Sequence, residues 1–179
     1  MNEAQLVLLA QSGDRSAFDE LLGGVYPALR RYATGLAGAT AADDIVQDAV
    51  LQVHRKLRWL REPSSFRPWA YRTVSRFAFA YLKRSRRWTS FDEFEGAEPQ
   101  FVAEDSMEAN LLWASQIQYL ASEISPASRA VLLLRYQHGL LLEEIAAVLE
   151  VPVGTIKSRL SYGLAQLRKK LDKDGPDGT

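Results

Sequence analysis

The chain has no cysteine and only two histidines, and these shortages exclude several classes of function. Without thiols it forms no disulfide, no thiolate-bound zinc site and no cysteine nucleophile, which suits a reducing cytoplasm. His54 and His138 lie far apart in the sequence, so we expect no histidine metal site and no cofactor. No nucleophile elbow, glycine-rich phosphate loop or metal-ligand spacing brings Ser, His and Asp together, so we expect a protein that is not an enzyme.

Long hydrophobic runs are also missing. No stretch approaches the roughly 18 apolar residues that a membrane span requires. No basic segment precedes the short apolar stretch near Met1, so we expect no signal peptide. These shortages favour a cytoplasmic protein with no membrane span of its own.

The net charge of zero hides a strong segregation of charge along the chain. Residues 54–88 carry eleven basic side chains against one acid, whereas residues 89–126 carry eight acids and no base. The preceding residues 1–53 have a net charge of −4, and residues 127–171 have a net charge of +4. Because local charge decides local binding, the basic block predicts an anionic partner.

Helical periodicity dominates what is present, and no β-alternation of useful length occurs. Apolar residues recur every three or four positions in several segments, and Thr40 with Asp43 resembles a capping box at the start of the second. The predicted helices cover 16–37, 41–60, 66–87, 142–149 and 153–171. We predict that Trp69, Val74, Phe77 and Tyr81 form the apolar face of the third segment.

The acidic stretch from residue 89 loses this periodicity and contains Gly96 and Pro99, which indicates a linker. We therefore predict an all-α protein with two helical domains joined by an acidic linker. The predicted bounds are 1–88 for the first domain, 89–112 for the linker, 113–173 for the second domain and 174–179 for a tail.

The last two predicted helices, separated by Glu150-Val151-Pro152, are typical of a helix-turn-helix, whose second helix enters the DNA major groove. An ordinary helical hairpin with a solvated polar face explains the same pattern, so the pattern alone leaves both interpretations open. The outer face of the second helix carries Thr155, Lys157, Ser158, Arg159, Ser161, Tyr162, Gln166 and Arg168.

The run SPASRAVLLLRYQHGLLLEEIAAVLEVPVGTIKSRLSYGLAQLRKKL (125–171) resembles the fourth conserved domain of extracytoplasmic-function (group IV) sigma factors. The matching elements are Arg135-Tyr136 before Gly139, Glu144-Ile145-Ala146, and Val151-Pro152-Val153-Gly154-Thr155 leading into Lys157-Ser158-Arg159-Leu160. The resemblance implies a helix-turn-helix domain that reads the −35 promoter element. It places Lys157, Ser158, Ser161 and Tyr162 toward bases, with Thr155, Arg159 and Arg168 as phosphate contacts.

The other half of the chain looks like the second conserved domain of the same family, in the family order. The matching runs are AFDELLGGVYPALRRYA (17–33), ADDIVQDAVLQVHRKL (42–57) and FRPWAYRTVSRFAFAYLKRSRR (66–87). The resemblance implies a helical bundle that binds core RNA polymerase and the −10 element of promoter DNA. It also implies regulation by an anti-sigma factor.

The helix predicted over 41–60 carries a polar stripe of Asp44, Asp48, Gln52 and Arg55 opposite its apolar face. By resemblance this helix docks on the clamp of the largest polymerase subunits, and its contact residues are Asp43, Asp44, Gln47, Asp48 and Gln52. In the alternative interpretation the acids only stabilise the start of the helix through its dipole, which accounts for Asp43 but not for the residues out to Asp48.

The third predicted helix is the candidate for the −10 element. Eight of the chain's aromatics fall within the basic block 54–88, where cations follow phosphates and aromatics stack on unpaired bases. The residues assigned to this contact are Arg72, Arg76, Lys83, Arg84, Arg86, Arg87 and Trp88. Trp69, Phe77 and Tyr81 are assigned to the core instead.

Several positions depart from the family pattern and predict a weaker or different base preference. Leu141 stands where the family often has Ser or Thr, Glu150 replaces the turn glycine, and Tyr162-Gly163-Leu164 thin an arginine-rich segment. In the first domain, Arg76 and Ala80 replace the Asn and Asp that are common there.

Two questions stay open at this point, the role of the linker and the role of the whole chain. The acidic linker either threads through the polymerase or is a solvated tether. The chain is either a sigma factor or a DNA-binding activator without a polymerase role, which the first-domain resemblance disfavours. A third interpretation is a decoy that binds an anti-sigma factor without supporting transcription.

Overall fold

The computed structural model describes residues 1–85 and 124–173, with side chains as far as Lys170. The chain divides into two compact units, Met1–Arg84 and Ser85–Thr179. Every regular element within the described residues is helical, which confirms the predicted all-α class. The predicted linker, the tail, and Arg86, Arg87 and Trp88 lie outside the described residues.

The first unit is built from four helices, three of which pack against one another around its core. They are α1 (Glu3–Gln11), α2 (Arg15–Ala37), α3 (Ala39–Lys56) and α4 (Phe66–Arg84). Short 3₁₀ turns at Leu57–Trp59 and Pro63–Ser65 connect α3 to α4. The predicted period of α2 is confirmed, because its buried side chains recur every three or four residues: Leu21, Val25, Leu29, Tyr32 and Leu36.

Helix α1 is absent from the sequence predictions. Its start is fixed by a capping box, in which Asn2 Oδ1 accepts from the Gln5 amide at 2.9 Å and Gln5 Oε1 accepts from the Asn2 amide at 3.0 Å. The Gln11 side-chain amide donates to the carbonyls of Leu57 at 2.9 Å and Leu60 at 2.8 Å. Helix α1 therefore holds the turn that follows α3.

The predicted capping box of Thr40 and Asp43 is wrong. Helix α3 begins at Ala39, directly after Gly38, and no side chain caps it. Gly38 has a φ of 92°, a value that suits glycine and lets the chain reverse within one residue. Thr40 is thus already helical, and the Asp43 carboxylate pairs with Arg30 on α2 instead.

The predicted apolar face of α4 is only partly correct. Val74 is fully buried, but Trp69, Phe77 and Tyr81 are only half-buried, so their assignment to the core is corrected. The observed buried stripe recurs every four residues. It contains small and polar side chains as well as large apolar ones, and a pattern based on hydrophobicity alone does not identify them. Its members are Phe66, Ala70, Val74, Ala78 and Leu82, joined by Tyr71, Thr73 and Ser75.

A buried hydrogen bond links α2 to α4 within this core. Ser75 Oγ donates to the Tyr71 carbonyl at 2.8 Å, so the Tyr32 hydroxyl is the donor in its 2.9 Å contact with Ser75 Oγ. Burial raises the pKa of Tyr32, so the hydroxyl stays protonated and keeps this donor role.

The second unit contains α5 (Pro126–Leu132), α6 (Leu142–Leu149) and α7 (Val153–Lys173) within its described part. Ser125 caps the start of α5, since its Oγ accepts from the Ser128 amide at 3.3 Å. Helix α5 continues as a π-helical turn over Leu133–Gln137, and Gly139, with a φ of 68°, follows its end. The core side chains of this unit include Val131, Leu132, Leu134, Ile145, Val148, Ile156, Leu164 and Leu167.

Candidate functional site

Helix α3 presents an acidic face to solvent, formed by Asp44, Gln47 and Asp48. All three residues are exposed, whereas Ile45 and Val46 between them are buried. Within the described residues, neither Asp44 nor Asp48 forms a hydrogen bond or an ion pair. The carboxylates of this acidic face therefore point into solvent and have no partner among the described residues of their own unit.

Two other residues assigned to this face behave differently. Gln52 is half-buried. Asp43 is exposed but engaged, because Arg30 Nε donates to its Oδ1 at 2.6 Å. The Arg30 guanidinium lowers the pKa of the Asp43 carboxyl through this hydrogen bond and its charge. Asp43 thus joins α2 to α3 as well as lying beside the acidic face.

Helix α4 carries a basic surface formed by Arg76, Lys83 and Arg84, all exposed. Arg72, on the same stripe as Arg76, is half-buried and its Nε atom is enclosed. Arg67 also lies on α4, but its Nε contacts Glu3 Oε2 on α1 at 2.6 Å. Arg76, Lys83 and Arg84 therefore form the basic surface of α4, whereas Arg67 is engaged by Glu3 of α1.

Sequence reasoning missed a strongly exposed aromatic side chain in this unit. The side chain of Trp59 is 60% exposed in the turn after α3, and the Arg58 guanidinium lies 4.0 Å from its ring centroid. Basic residues Arg55, Lys56 and Arg61 surround this turn and are exposed. Trp59 belongs to no predicted apolar face, and that fact alone indicates from the sequence that its ring is exposed.

The two helices α6 and α7 form the predicted helix-turn-helix pair in sequence order, joined by residues 150–152. Glu150 adopts the left-handed conformation, with φ 58° and ψ 41°, and the Val151 amide donates to the Ala146 carbonyl at 3.2 Å. The expectation that Glu150 takes the place of a turn glycine therefore agrees with its backbone. The turn keeps its shape at a cost in backbone strain.

The start of α6 has no side-chain cap. Leu141 occupies the N-cap position and is 57% exposed, and a leucine side chain cannot accept a hydrogen bond there. Glu144 compensates in part, because its Oε2 accepts from the Leu141 amide at 2.7 Å. Half of a capping box remains where the full motif has a Ser or Thr.

The outer face of α7 collects the residues assigned to the −35 element. At 100° per residue, Ser158, Ser161 and Tyr162 point away from buried Ile156 and Leu167. The flanking positions are Lys157 and Arg168 on one side, and Thr155 and Arg159 on the other. Arg168 is exposed and the others are half-buried. Ser158 Oγ donates to the Gly154 carbonyl at 3.1 Å, so this hydroxyl binds its own helix.

Gly163 has a packing role that the sequence interpretation did not give it. A Cβ atom at this position would lie 2.7 Å from Leu132 Cδ1 and 3.5 Å from Ser128 Cβ. Helices α5 and α7 therefore approach each other closely at Gly163, where a larger side chain would have to displace the Leu132 side chain. The absence of a long side chain at position 163 suits this close packing.

The described ranges 1–85 and 124–173 contain neither a candidate metal site nor a candidate membrane span. No cluster of acidic or histidine side chains there is arranged to hold a metal ion. No helix there is long and apolar enough to cross a membrane.

Comparison with known families and proteins gives matches in both units. The family model Sigma-70 region 2 matches residues 18–89, and the model Sigma-70, region 4 matches residues 121–169. The RNA polymerase sigma-H factor of Pseudomonas aeruginosa is 31% identical over 188 residues, covering 96% of this chain and 92% of that protein. The ECF RNA polymerase sigma-E factor of Escherichia coli K12 is 29% identical over 170 residues, covering 89% of each chain.

A solved structure also matches, that of CnrH in complex with the cytosolic domain of CnrY. It superimposes with a TM-score of 0.71 at 25% identity, covering 97% of this chain and 99% of that chain. The likeness extends over both units in sequence order.

Proposed function

This chain belongs to the extracytoplasmic-function group of RNA polymerase sigma factors, and from that membership we propose how its surfaces share the work of promoter recognition. A sigma factor binds core RNA polymerase and directs it to promoters. The proposal assigns core binding to α3, the −10 element to α4 and the −35 element to α7. The chemistry of RNA synthesis belongs to the polymerase, so we assign no catalysis to this chain.

The acidic face of α3 is the proposed polymerase contact. Helix-dipole stabilisation by acids acts within the first turn of a helix. Asp48 lies well beyond the first turn of α3, and the described residues offer neither it nor Asp44 a partner. Exposed, unpaired carboxylates fit a partner surface with cations, which would speed and orient the encounter. Asp43 and Gln52 lie at the margin of this contact.

The basic surface of α4 is the proposed −10 contact, extended by Arg72, Arg86, Arg87 and Trp88. Lysine and arginine side chains neutralise phosphates, and each neutralised phosphate releases counterions. Trp59 with Arg58 adds an exposed aromatic to the same basic block, suited to stacking on an unpaired base. If about six phosphates are neutralised, the logarithm of affinity falls with the logarithm of salt at a slope of about −5.

The outer face of α7 is the proposed −35 contact, with Thr155, Lys157, Ser158, Arg159, Ser161, Tyr162 and Arg168. Ser158 binds its own helix and the arginine-rich segment is thinned around Gly163. Fewer long donors therefore reach base edges, and each bidentate pair that is missing lowers discrimination by about 1–3 kcal/mol. We propose that the −10 contact carries more of the promoter preference than the −35 contact.

Three further assignments complete the proposal. CnrH, which shares this fold, was solved in complex with the cytosolic domain of another protein. We propose that an anti-sigma factor likewise binds this chain, and that the chain acts in the cytoplasm. We also propose 1–88 and 113–173 as its functional domains, with the acidic residues 89–112 between them.

Membership in the family, supported in both units, is the observation that carries this proposal. The test is reconstitution of the full chain with purified core RNA polymerase, followed by mapping of transcript starts on genomic DNA. We expect a stable complex and a subset of promoters that core enzyme alone does not use. Core binding without promoter-directed transcripts would instead support the decoy interpretation, and no core binding would refute the proposal.

A further inference from the structure

A leucine stands in the middle of the polar stripe of α3. Leu51 is 49% exposed, although α3 contributes a full set of buried side chains to the core on its other side. An isolated exposed leucine is common on protein surfaces. The position of Leu51 relative to the acidic face distinguishes it from such a residue.

The helical geometry puts Leu51 at the centre of that face. At 100° per residue, Leu51 lies within about 20° of Asp44 and between the directions of Gln47 and Asp48. The buried residues Ala49 and Val53 point to the opposite side of α3. Leu51 is therefore not the edge of the core, and nothing in the packing of its unit requires an apolar side chain there.

Along the helix axis the side chains of this stripe change from acidic to apolar to basic. Asp44 and Asp48 come first, Leu51 follows, and exposed Arg55 comes last. The stripe spans about 17 Å at 1.5 Å per residue, roughly three helical turns. An acid–leucine–arginine order has a direction, so it can distinguish the two ways in which a partner helix could lie against α3.

We propose that Leu51 is the apolar centre of the polymerase contact and that Arg55 fixes its orientation. This inference rests on the proposed docking of α3 on core polymerase. The partner surface then presents an apolar side chain opposite Leu51, cations toward Asp44 and Asp48, and an acid toward Arg55. A central apolar contact surrounded by polar pairs that exclude water is the usual arrangement of a binding hot spot.

The experiment measures the dissociation constant of the full chain for core RNA polymerase at several salt concentrations. Leu51→Ala should weaken binding about tenfold while leaving the salt dependence unchanged, because no charge is removed. Leu8→Ala is the matched control, since Leu8 is 55% exposed on α1 and lies outside the contact. Thermal unfolding should confirm that both variants fold like the parent protein.

The orientation is tested with Arg55→Glu, which should weaken binding to core polymerase. The loss of affinity relative to the parent protein should shrink as the salt concentration rises, because salt screens the introduced repulsion. Charge reversal at Lys56, an exposed neighbour that lies off the stripe, is its control. Parental affinity in Leu51→Ala would overturn the inference about Leu51, and parental affinity in Arg55→Glu would overturn the orientation. If Asp44→Lys with Asp48→Lys weakens binding in the same assay, the proposed docking of α3 stands even when the inference about Leu51 fails.

Discussion

Arg30 and Asp43 hold α2 and α3 together through an ion pair with 2.6 Å between Nε and Oδ1, yet Asp44, the next residue, has no such partner among the described side chains. Adjacent acids on one helix therefore have different surroundings. The Arg30 guanidinium keeps the pKa of Asp43 below its usual range, so this carboxylate stays charged under mildly acidic conditions. Asp44 is left available for a partner.

This difference predicts that Asp43→Asn and Asp44→Asn have separable effects. The folded-state pKa of Asp43 is depressed, so the ion pair stabilises the fold above the carboxyl's unfolded pKa of about 4 and is lost as pH falls through the lower folded value. Asp43→Asn should therefore reduce the drop in melting temperature between pH 7 and pH 3, with core affinity near that of the parent. Asp44→Asn should weaken core binding severalfold, because it removes an unpaired carboxylate from the proposed contact. Equal loss of core affinity in both variants would contradict the distinction.

The basic surface of α4 predicts a change in the salt dependence of DNA binding. Lys83→Ala with Arg84→Ala should reduce the slope of log affinity against log salt by about 2, since each phosphate contact contributes about 0.9. Arg67→Ala is the control on the same helix, because Arg67 is engaged by Glu3. The measurement is binding of the polymerase complex to a promoter fragment across a salt series. An unchanged slope in the double variant would remove these residues from the −10 contact.

The left-handed backbone of Glu150 predicts that a glycine there stabilises the second unit. Side chains at positive φ clash with their own backbone, and glycine avoids this cost. Glu150→Ala removes the carboxylate but keeps the strain, so it isolates the backbone effect. Glu150→Gly should exceed Glu150→Ala in unfolding free energy by about 1 kcal/mol in a denaturant titration. Equal stabilities would show that the turn relaxes without strain.

The close approach of α5 and α7 predicts that Gly163 does not tolerate a branched side chain. Gly163→Val should destabilise the second unit by about 1–3 kcal/mol, because it forces apart Leu132 and its surroundings. Ala165→Val, at an exposed position on the same helix, should cost only a few tenths of a kcal/mol. Leu132→Ala combined with Gly163→Val should lose less than the two single variants added together. Simple additivity would argue against direct contact.

The sequence predicted the helical class and the outer faces of α3 and α7 because period and charge are local properties. It failed where small residues decide the packing. On α4 the aromatic side chains predicted the wrong side of the helix as the buried one. The buried side instead carries Ala70, Ala78 and Ser75. Small side chains carry little hydrophobic signal, but they permit the helices to pack closely, and that becomes visible only in three dimensions.

Hydrogen bonds and ion pairs between residues far apart in the sequence could not be predicted either. Thr40 and Asp43 have the spacing of a capping box. In the folded chain, however, the Asp43 carboxylate accepts from Arg30, thirteen residues earlier. Likewise, nothing in the composition of residues 3–11 indicates that Gln11 binds the carbonyls of Leu57 and Leu60, more than forty residues later. The roles of Arg86, Arg87 and Trp88 remain predictions.

The two hydrogen bonds of Gln11 also govern how the protein can be engineered. Met1 is exposed, so a tag fused before it extends into solvent and leaves α1 in place. Truncation past Gln11 would instead remove both donors to the turn that presents Trp59, leaving the carbonyls of Leu57 and Leu60 to water. A shortened protein used to study promoter binding would thus report on a loosened loop, even though every residue assigned to DNA was retained.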